Sequence, residues 1–270
     1  MELLQYIFLG LVQGITEWLP ISSSGHLILF QEFFDISTPG LVFEIFLNFA
    51  TLLALLIVFW KDLWELIKGF FRFTFAKSAR TPENRNHFWF GLYIILGSIP
   101  VAVLGLLFGD YIETALKSVT TIAIALIVTG VALYAVSKLE GKRTQLKLAD
   151  AIWVGILQAI ALVPGISRSG VTLFGALSRN LERGLAIRYS FFLAIPVSLG
   201  TMLLKTGEII EQFSGANFLN YSLAFIVALV SAIITLKWFL EIIRRGKLKY
   251  FTYYCVTVGV LVLLYQIIIL

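Results

Sequence analysis

The stretch GLVQGITEWLPISSSGHLIL, residues 10–29, returns as GILQAIALVPGISRSGVTLF, residues 155–174. At an offset of 145 residues, Gly10/Gly155, Gln13/Gln158, Ile15/Ile160, Ile21/Ile166, Ser22/Ser167, Ser24/Ser169 and Gly25/Gly170 are identical. The first copy alone carries Glu17 and His26, and the second alone carries Arg168. Proline interrupts a helical pattern because it lacks an amide donor and its ring clashes with the preceding turn. Pro20 and Pro164–Gly165 therefore predict a break in each copy, and the Ser/Gly run that follows predicts a capped second helix. Irregular backbone at membrane depth persists where it is buried in protein or lines a polar cavity. A duplicated, broken polar segment in apolar surroundings marks a site.

Composition supplies those surroundings. Hydrophobic residues make up 59% of the 270, charged residues 14%, and mean hydropathy is +0.91. Full spans are expected at about 41–60, 88–108, 119–137, 185–204, 218–240 and 250–270, each near the ~20 apolar residues that cross a bilayer core. The N-terminal MELLQYIFLG lacks the basic region and small-residue cleavage site of a signal peptide. One cysteine, Cys255, excludes an intrachain disulfide and a Cys-based metal site. The net charge of +5 does not indicate nucleic-acid binding, because the basic residues gather at helix ends.

Those basic groups set the expected orientation. They are Lys61 to Arg85, Lys138 to Lys147, Arg179 to Arg188 and Lys237 to Lys249, whereas residues 1–60 hold no Lys or Arg. The positive-inside rule places the four groups in the cytoplasm and both termini outside. Residues 1–35 must then enter and leave from outside, and 148–183 from the cytoplasm. The expected fold class is an all-α polytopic membrane protein with two inverted-topology repeats. Each repeat is a re-entrant broken helix followed by three transmembrane helices. The whole of 1–270 forms a single integral membrane domain with halves of about 1–147 and 148–270. The segments 62–87 and 138–148 read as connectors.

Within the breaks, Arg168 lies between Ser167 and Ser169, with Thr172 one turn beyond. A guanidinium, hydroxyls and the amides of a helix start make an anion cradle suited to phosphate. Gln13 and Glu17 share a helix face at i, i+4 and could hold a hard divalent cation. Glu17 could instead act as a general base, or pair with Arg168 to tie the repeats together. His26, beside Ser22, Ser23 and Ser24, could move a proton to or from a serine, a water or a leaving oxygen. His87 belongs to a basic connector. Glu44, Asn48, Ser190 and Pro196 are weaker candidates for the cavity wall.

These residues resemble the undecaprenyl-diphosphatases, the bacitracin-resistance type of integral membrane phosphatase. The family's Glu/Gln-x-x-x-Glu stands here as Gln13 to Glu17, and Pro-x-Ser-Ser-x-Gly-His as Pro20 to His26. Its Pro-Gly-x-Ser-Arg-Ser-x-x-Thr stands as Pro164 to Thr172. The resemblance implies hydrolysis of undecaprenyl diphosphate, a C55 polyprenyl diphosphate, to the monophosphate and inorganic phosphate. That recycles the lipid carrier for cell-wall synthesis and gives bacitracin resistance. It also implies a Mg2+ or Ca2+ cofactor and a site facing outward from the bacterial cytoplasmic (inner) membrane. Expected catalytic residues are Glu17, Ser23, His26 and Arg168. Ser22, Ser167, Ser169 and Thr172 are expected to bind substrate, and Gln13 with Glu17 a metal. Gln13 stands where other members have glutamate, so a chelate of two carboxylates does not follow. Expected partners are the polyprenyl diphosphate lipid, the bilayer and a second copy as a homodimer, with no nucleic acid.

Two mechanisms stay open on the sequence: Ser23 as nucleophile with His26 as its base, or direct attack by a water that Glu17 or His26 activates. The rival class is a polyprenyl-phosphate transporter or flippase, in place of or besides hydrolysis, since inverted repeats with broken helices also suit transport. Acid/base groups in one copy only favour directed chemistry.

Overall fold

Each proline that breaks a helix does so four residues back, where its ring would meet a carbonyl. Helix α1 (Glu2–Thr16) stops four residues before Pro20, and α7 (Leu148–Ile160) four before Pro164. Likewise α9 (Arg183–Phe192) stops four before Pro196 and continues as α10 (Ala194–Leu204). Pro100, by contrast, sits inside α5 (Pro82–Leu116) without ending it. The computed structural model describes residues 2–36, 41–213 and 218–269.

Beyond the breaks, α2 (Ser23–Phe33) and α8 (Arg168–Ser178) begin at equivalent positions of the two copies. The Ser22 hydroxyl caps α2 by accepting from the Gly25 amide at 3.3 Å, and Ser167 caps α8 by accepting from Gly170 at 3.1 Å. At 1.5 Å per residue, α1 and α7 are about 20 Å long and α2 and α8 about 16 Å. None reaches across a hydrocarbon core of about 30 Å.

The remaining helices supply the spans. Helices α5, α6 (Val119–Lys138), α9 with α10, α12 (Phe218–Arg244) and α13 (Lys249–Ile269) are long and apolar enough to cross a membrane. Helix α3 (Leu41–Val58) adds a sixth when taken with α4 (Trp60–Phe75), to which it is bent by 79°. A short α11 (Thr206–Gln212) follows α10. The molecule is thus an all-helical, multi-pass membrane protein.

The segment 62–87, expected as a plain connector, holds most of α4 and the start of α5. Leu63, Leu66, Phe70 and Phe73 recur at helical spacing, and that face packs on α5.

Small residues let the short helices lie close to the long ones. Helix α1 runs along α12, and α7 along α5. A Cβ on Gly10 would lie 2.4 Å from the Ala224 carbonyl oxygen, and one on Gly155 would lie 2.4 Å from that of Gly97. The repeated glycines therefore make the same contact in each half. Helices α6 and α13 pack together, and α6 contacts both α2 and α8.

Candidate active site

The two breaks meet. A Cβ on Gly25 would sit 3.0 Å from the Gly165 Cα, and the Ser169 hydroxyl donates to the Leu19 carbonyl at 3.3 Å. Helix α6 pins the second break through Thr129, whose hydroxyl donates to Gly165 O and accepts from Ser167 N–H, both at 3.1 Å. Gly165 has φ 93°, a left-handed value that suits a residue without a Cβ. Ser22 holds φ 68° and ψ 97° despite its side chain. Such a conformation costs of order 1–3 kcal/mol and concentrates at functional sites.

Between the breaks lies a cavity of about 210 Å³, lined by both copies. Its polar wall is Glu17, Ser22, Ser23 and Ser24 from the first, Gln158, Ser167 and Arg168 from the second, and Asn48 from α3. Since α2 and α8 both start here, two helix N-termini bring their partial positive charge to one cavity.

Glu17 is the hub, its side chain 5% exposed. Oε1 accepts from Asn48 Nδ2 at 3.0 Å and is ion-paired with Arg168. Oε2 accepts from Gln13 Nε2 at 2.9 Å and from the Ser23 hydroxyl at 2.5 Å. A carboxylate offers about four lone-pair sites, and all are taken. Arg168 also donates to Ser198 Oγ at 3.4 Å.

That saturation bears on the expected cation. The cavity lining includes no second carboxylate, and among the described residues no three His, Cys, Asp or Glu side chains group as a metal set. Gln13 and Asn48 turn their amide donors, not their oxygens, toward Glu17. Among the described residues the side chains do not form an all-protein cage for a divalent ion.

The other expected residues divide. Ser22 and Ser167 line the cavity. Ser169 bonds toward the first break, and Thr172 is fully buried with its hydroxyl on the Arg168 carbonyl at 2.8 Å. Both ring nitrogens of His26 are engaged by groups other than the Ser23 hydroxyl. Its Nδ1 lies 2.8 Å from the Ser22 carbonyl, and its Nε2 lies 2.8 Å from the Tyr254 hydroxyl, with the two rings stacked. A carbonyl only accepts, so Nδ1 carries the proton and, in the neutral ring, Nε2 accepts from Tyr254.

Of the weaker candidates, Asn48 reaches Glu17, whereas Ser198, not Ser190, reaches Arg168. Gln158 was legible as a repeated residue but not as part of the site. It is fully buried against the cavity, and both its amide atoms lack a partner among the described residues. An unsatisfied buried polar group costs about 1–3 kcal/mol, and this one borders the cavity.

Asp150, at the far end of α7, shows a buried carboxylate with a different setting. It takes Arg143 at 2.7 Å, Arg179 at 3.0 Å and the Lys147 amide at 2.9 Å. Burial pushes its carboxyl up, but Arg143, the Lys147 amide and Arg179 outweigh that and hold it below the usual carboxylate range. Asp150 does not line the cavity, and two cations share it, so it braces two loops. Glu17 has one cation, three neutral donors and a cavity beside it.

Comparison with known proteins adds to this geometry. The family described as bacitracin resistance protein BacA matches residues 6–261. The chain is 44% identical over 268 residues to an undecaprenyl-diphosphatase of Oceanobacillus iheyensis, covering 97% of this chain and 96% of that protein. It is 42% identical over 266 residues to undecaprenyl-diphosphatase 3 of Bacillus anthracis, covering 97% of each. It is 41% identical over 264 residues to undecaprenyl-diphosphatase 1 of Halalkalibacterium halodurans, covering 97% of this chain and 95% of that protein.

Proposed function

The chain belongs to the bacitracin resistance protein BacA family, and from that premise we propose that it hydrolyses undecaprenyl diphosphate to undecaprenyl phosphate and inorganic phosphate. The observation that carries this reading is Glu17, whose two oxygens receive Ser23 at 2.5 Å on one side and Arg168 on the other. A nucleophile, a base and an anion-binding cation are in contact within one cavity.

The terminal phosphate enters this cavity and takes the Arg168 guanidinium, the Ser167 hydroxyl and the Gln158 amide. Arg168 can then turn two donors on phosphate oxygens, a fork that a point charge does not supply. Glu17, released from Arg168, keeps Ser23. The Ser23 hydroxyl attacks phosphorus as its proton passes to Glu17, and the bond from phosphorus to the bridging oxygen breaks. The monophosphate lipid leaves with the proton that Glu17 took from Ser23, and a water, whose proton Glu17 then accepts and passes to Ser23 Oγ, frees phosphate from Ser23. The two helix N-termini and Arg168 stabilise charge on the transferred group. His26, tied to Tyr254 and to the Ser22 carbonyl, holds the Ser22 turn in place. No step is placed on a divalent cation, since the donors around Glu17 do not form its cage.

The halves are read as inserted in opposite senses. Three span units follow each broken segment, an odd number, and α1 on α12 mirrors α7 on α5. By the positive-inside rule both termini face outward from the cytoplasmic membrane, and the family resemblance implies a site that opens on the same side. Hydrolysis there recycles the lipid carrier. Transport alone leaves the Glu17–Ser23 contact without a role.

The test is phosphate release from undecaprenyl diphosphate by purified protein in detergent, with undecaprenyl phosphate as comparator. Release from the diphosphate alone, lost in Arg168→Ala, is expected. A folded wild-type protein that releases no phosphate overturns the reading.

A further inference from the structure

A second, larger cavity of about 810 Å³ opens on the basic face, among α4, the start of α5, residues 144–146 and α9. It shares no lining residue with the cavity at Glu17. Three arginines surround it: Arg80, Arg85 and Arg188. Arg188 pairs with Asp62 at 3.2 Å, yet its Nε is buried without an acceptor among the described residues. Arg80 donates to the Phe73 carbonyl at 3.2 Å and stacks on the Phe73 ring. Among the described residues no carboxylate pairs with Arg80 or Arg85. Thr81 and Pro82 also line the cavity, so the positive end of the 35-residue α5 opens into it. The lining thus carries three arginines and no carboxylate, with Asp62 paired to Arg188 and Glu83 in the first turn of α5 as the neighbouring acids.

The walls are not those of a site for a free ion. Leu66, Phe90, Leu146 and Leu185 line the same space. Helix α4 places it at headgroup depth. Trp60, Trp64, Phe71 and Phe75 are all exposed, and at 100° per residue they fall within one narrow stripe of that helix. Lys61, Lys68 and Arg72 flank the stripe. Exposed aromatics with flanking basic residues on an amphipathic helix mark a segment lying in the membrane interface. Leu66, on the opposite side of α4, borders the cavity.

We propose that this cavity binds the headgroup of an acidic phospholipid, with the phosphate between Arg80, Arg85 and Arg188 and the glycerol region against the apolar wall. Basic pockets between membrane helices are suited to anionic headgroups. The inference does not depend on the hydrolytic reading of the Glu17 cavity.

The experiment is lipid retention by the purified full chain in detergent, offered phosphatidylglycerol, phosphatidylcholine or sodium phosphate. It compares wild type with Arg80→Gln, Arg85→Gln and the double variant. Both arginines are exposed and unpaired with acid, so these variants keep the fold, which melting temperature confirms. Wild type is expected to retain phosphatidylglycerol at least tenfold more tightly than phosphatidylcholine, and the double variant to lose that preference. Phosphate release at the Glu17 cavity should be unchanged in the same variants. Equal retention of phosphatidylglycerol by wild type and double variant overturns the proposal. So does displacement of the lipid by millimolar sodium phosphate, which would make the cavity a soluble-anion site.

Discussion

Ser23 and Arg168 occupy the same position in two copies of one motif. Each is the first residue of the helix after a break, each follows a serine cap, and each bonds to Glu17. One brings a hydroxyl to Oε2, the other a guanidinium to Oε1. The duplicated scaffold thus aims two equivalent positions at one carboxylate, and the difference between their side chains creates the chemistry. At the position of Glu17 the second copy has Leu162, which lines the cavity as apolar wall. Two identical halves would give two carboxylates and two hydroxyls with no cation, or the reverse. The asymmetry is what makes one site.

The most severe way to break this pairing is Arg168→Ala. It removes the phosphate ligand and leaves Glu17 buried without its cation, a loss of about 3–5 kcal/mol for a buried pair. Phosphate release is expected to fall at least ~1000-fold with a lowered melting temperature, and Arg168→Lys should recover stability more than turnover. Next is Ser23→Ala, the mirror change. Glu17 keeps Arg168, Asn48 and Gln13, so melting should barely move while release falls at least ~1000-fold on removal of the nucleophile.

A smaller effect sharpens the comparison by sign. Gln158→Leu should reduce release about tenfold yet hold or raise melting temperature, because an unsatisfied amide costs about 1–3 kcal/mol. Its repeat partner Gln13 is hydrogen-bonded to Glu17, so Gln13→Leu should lower both. Tyr254→Phe should have the mildest consequence. It removes one hydrogen bond from His26, worth about 1 kcal/mol, and release should drop only a few-fold. Wild-type-like melting with complete loss of release in Tyr254→Phe would instead place His26 in the proton path.

Much of this was written in the chain at short range. Pro20, Pro164 and their serine caps predict the breaks, and the helix ends follow the prolines residue by residue. Apolar run lengths predict the spans, although Pro196 divides one and α3 bends into an amphipathic α4 that read as a connector. The cluster of Glu17, Ser23 and Arg168 was legible because the repeat aligns their positions. What was not legible depends on residues far apart in the chain. His26 engages Tyr254, 228 residues away, and the Ser22 carbonyl, a pairing that its sequence neighbours alone did not reveal. Thr129 shows no sequence signal beyond a hydroxyl in an apolar span, yet it clamps the second break. Gln158 differs from Gln13 only through Leu162, and the cost of that difference appears once burial is known.

The most direct measurement is single-site: undecaprenyl diphosphate binding and phosphate release by Glu17→Gln beside wild type, with melting temperature as the folding control. The amide nearly preserves shape but removes the proton acceptor for Ser23 and frees Arg168 for phosphate. Binding retained or tightened, with release reduced at least ~1000-fold, is the expected result. Release at the wild-type rate would contradict the central claim that this carboxylate couples the two breaks into one hydrolytic site.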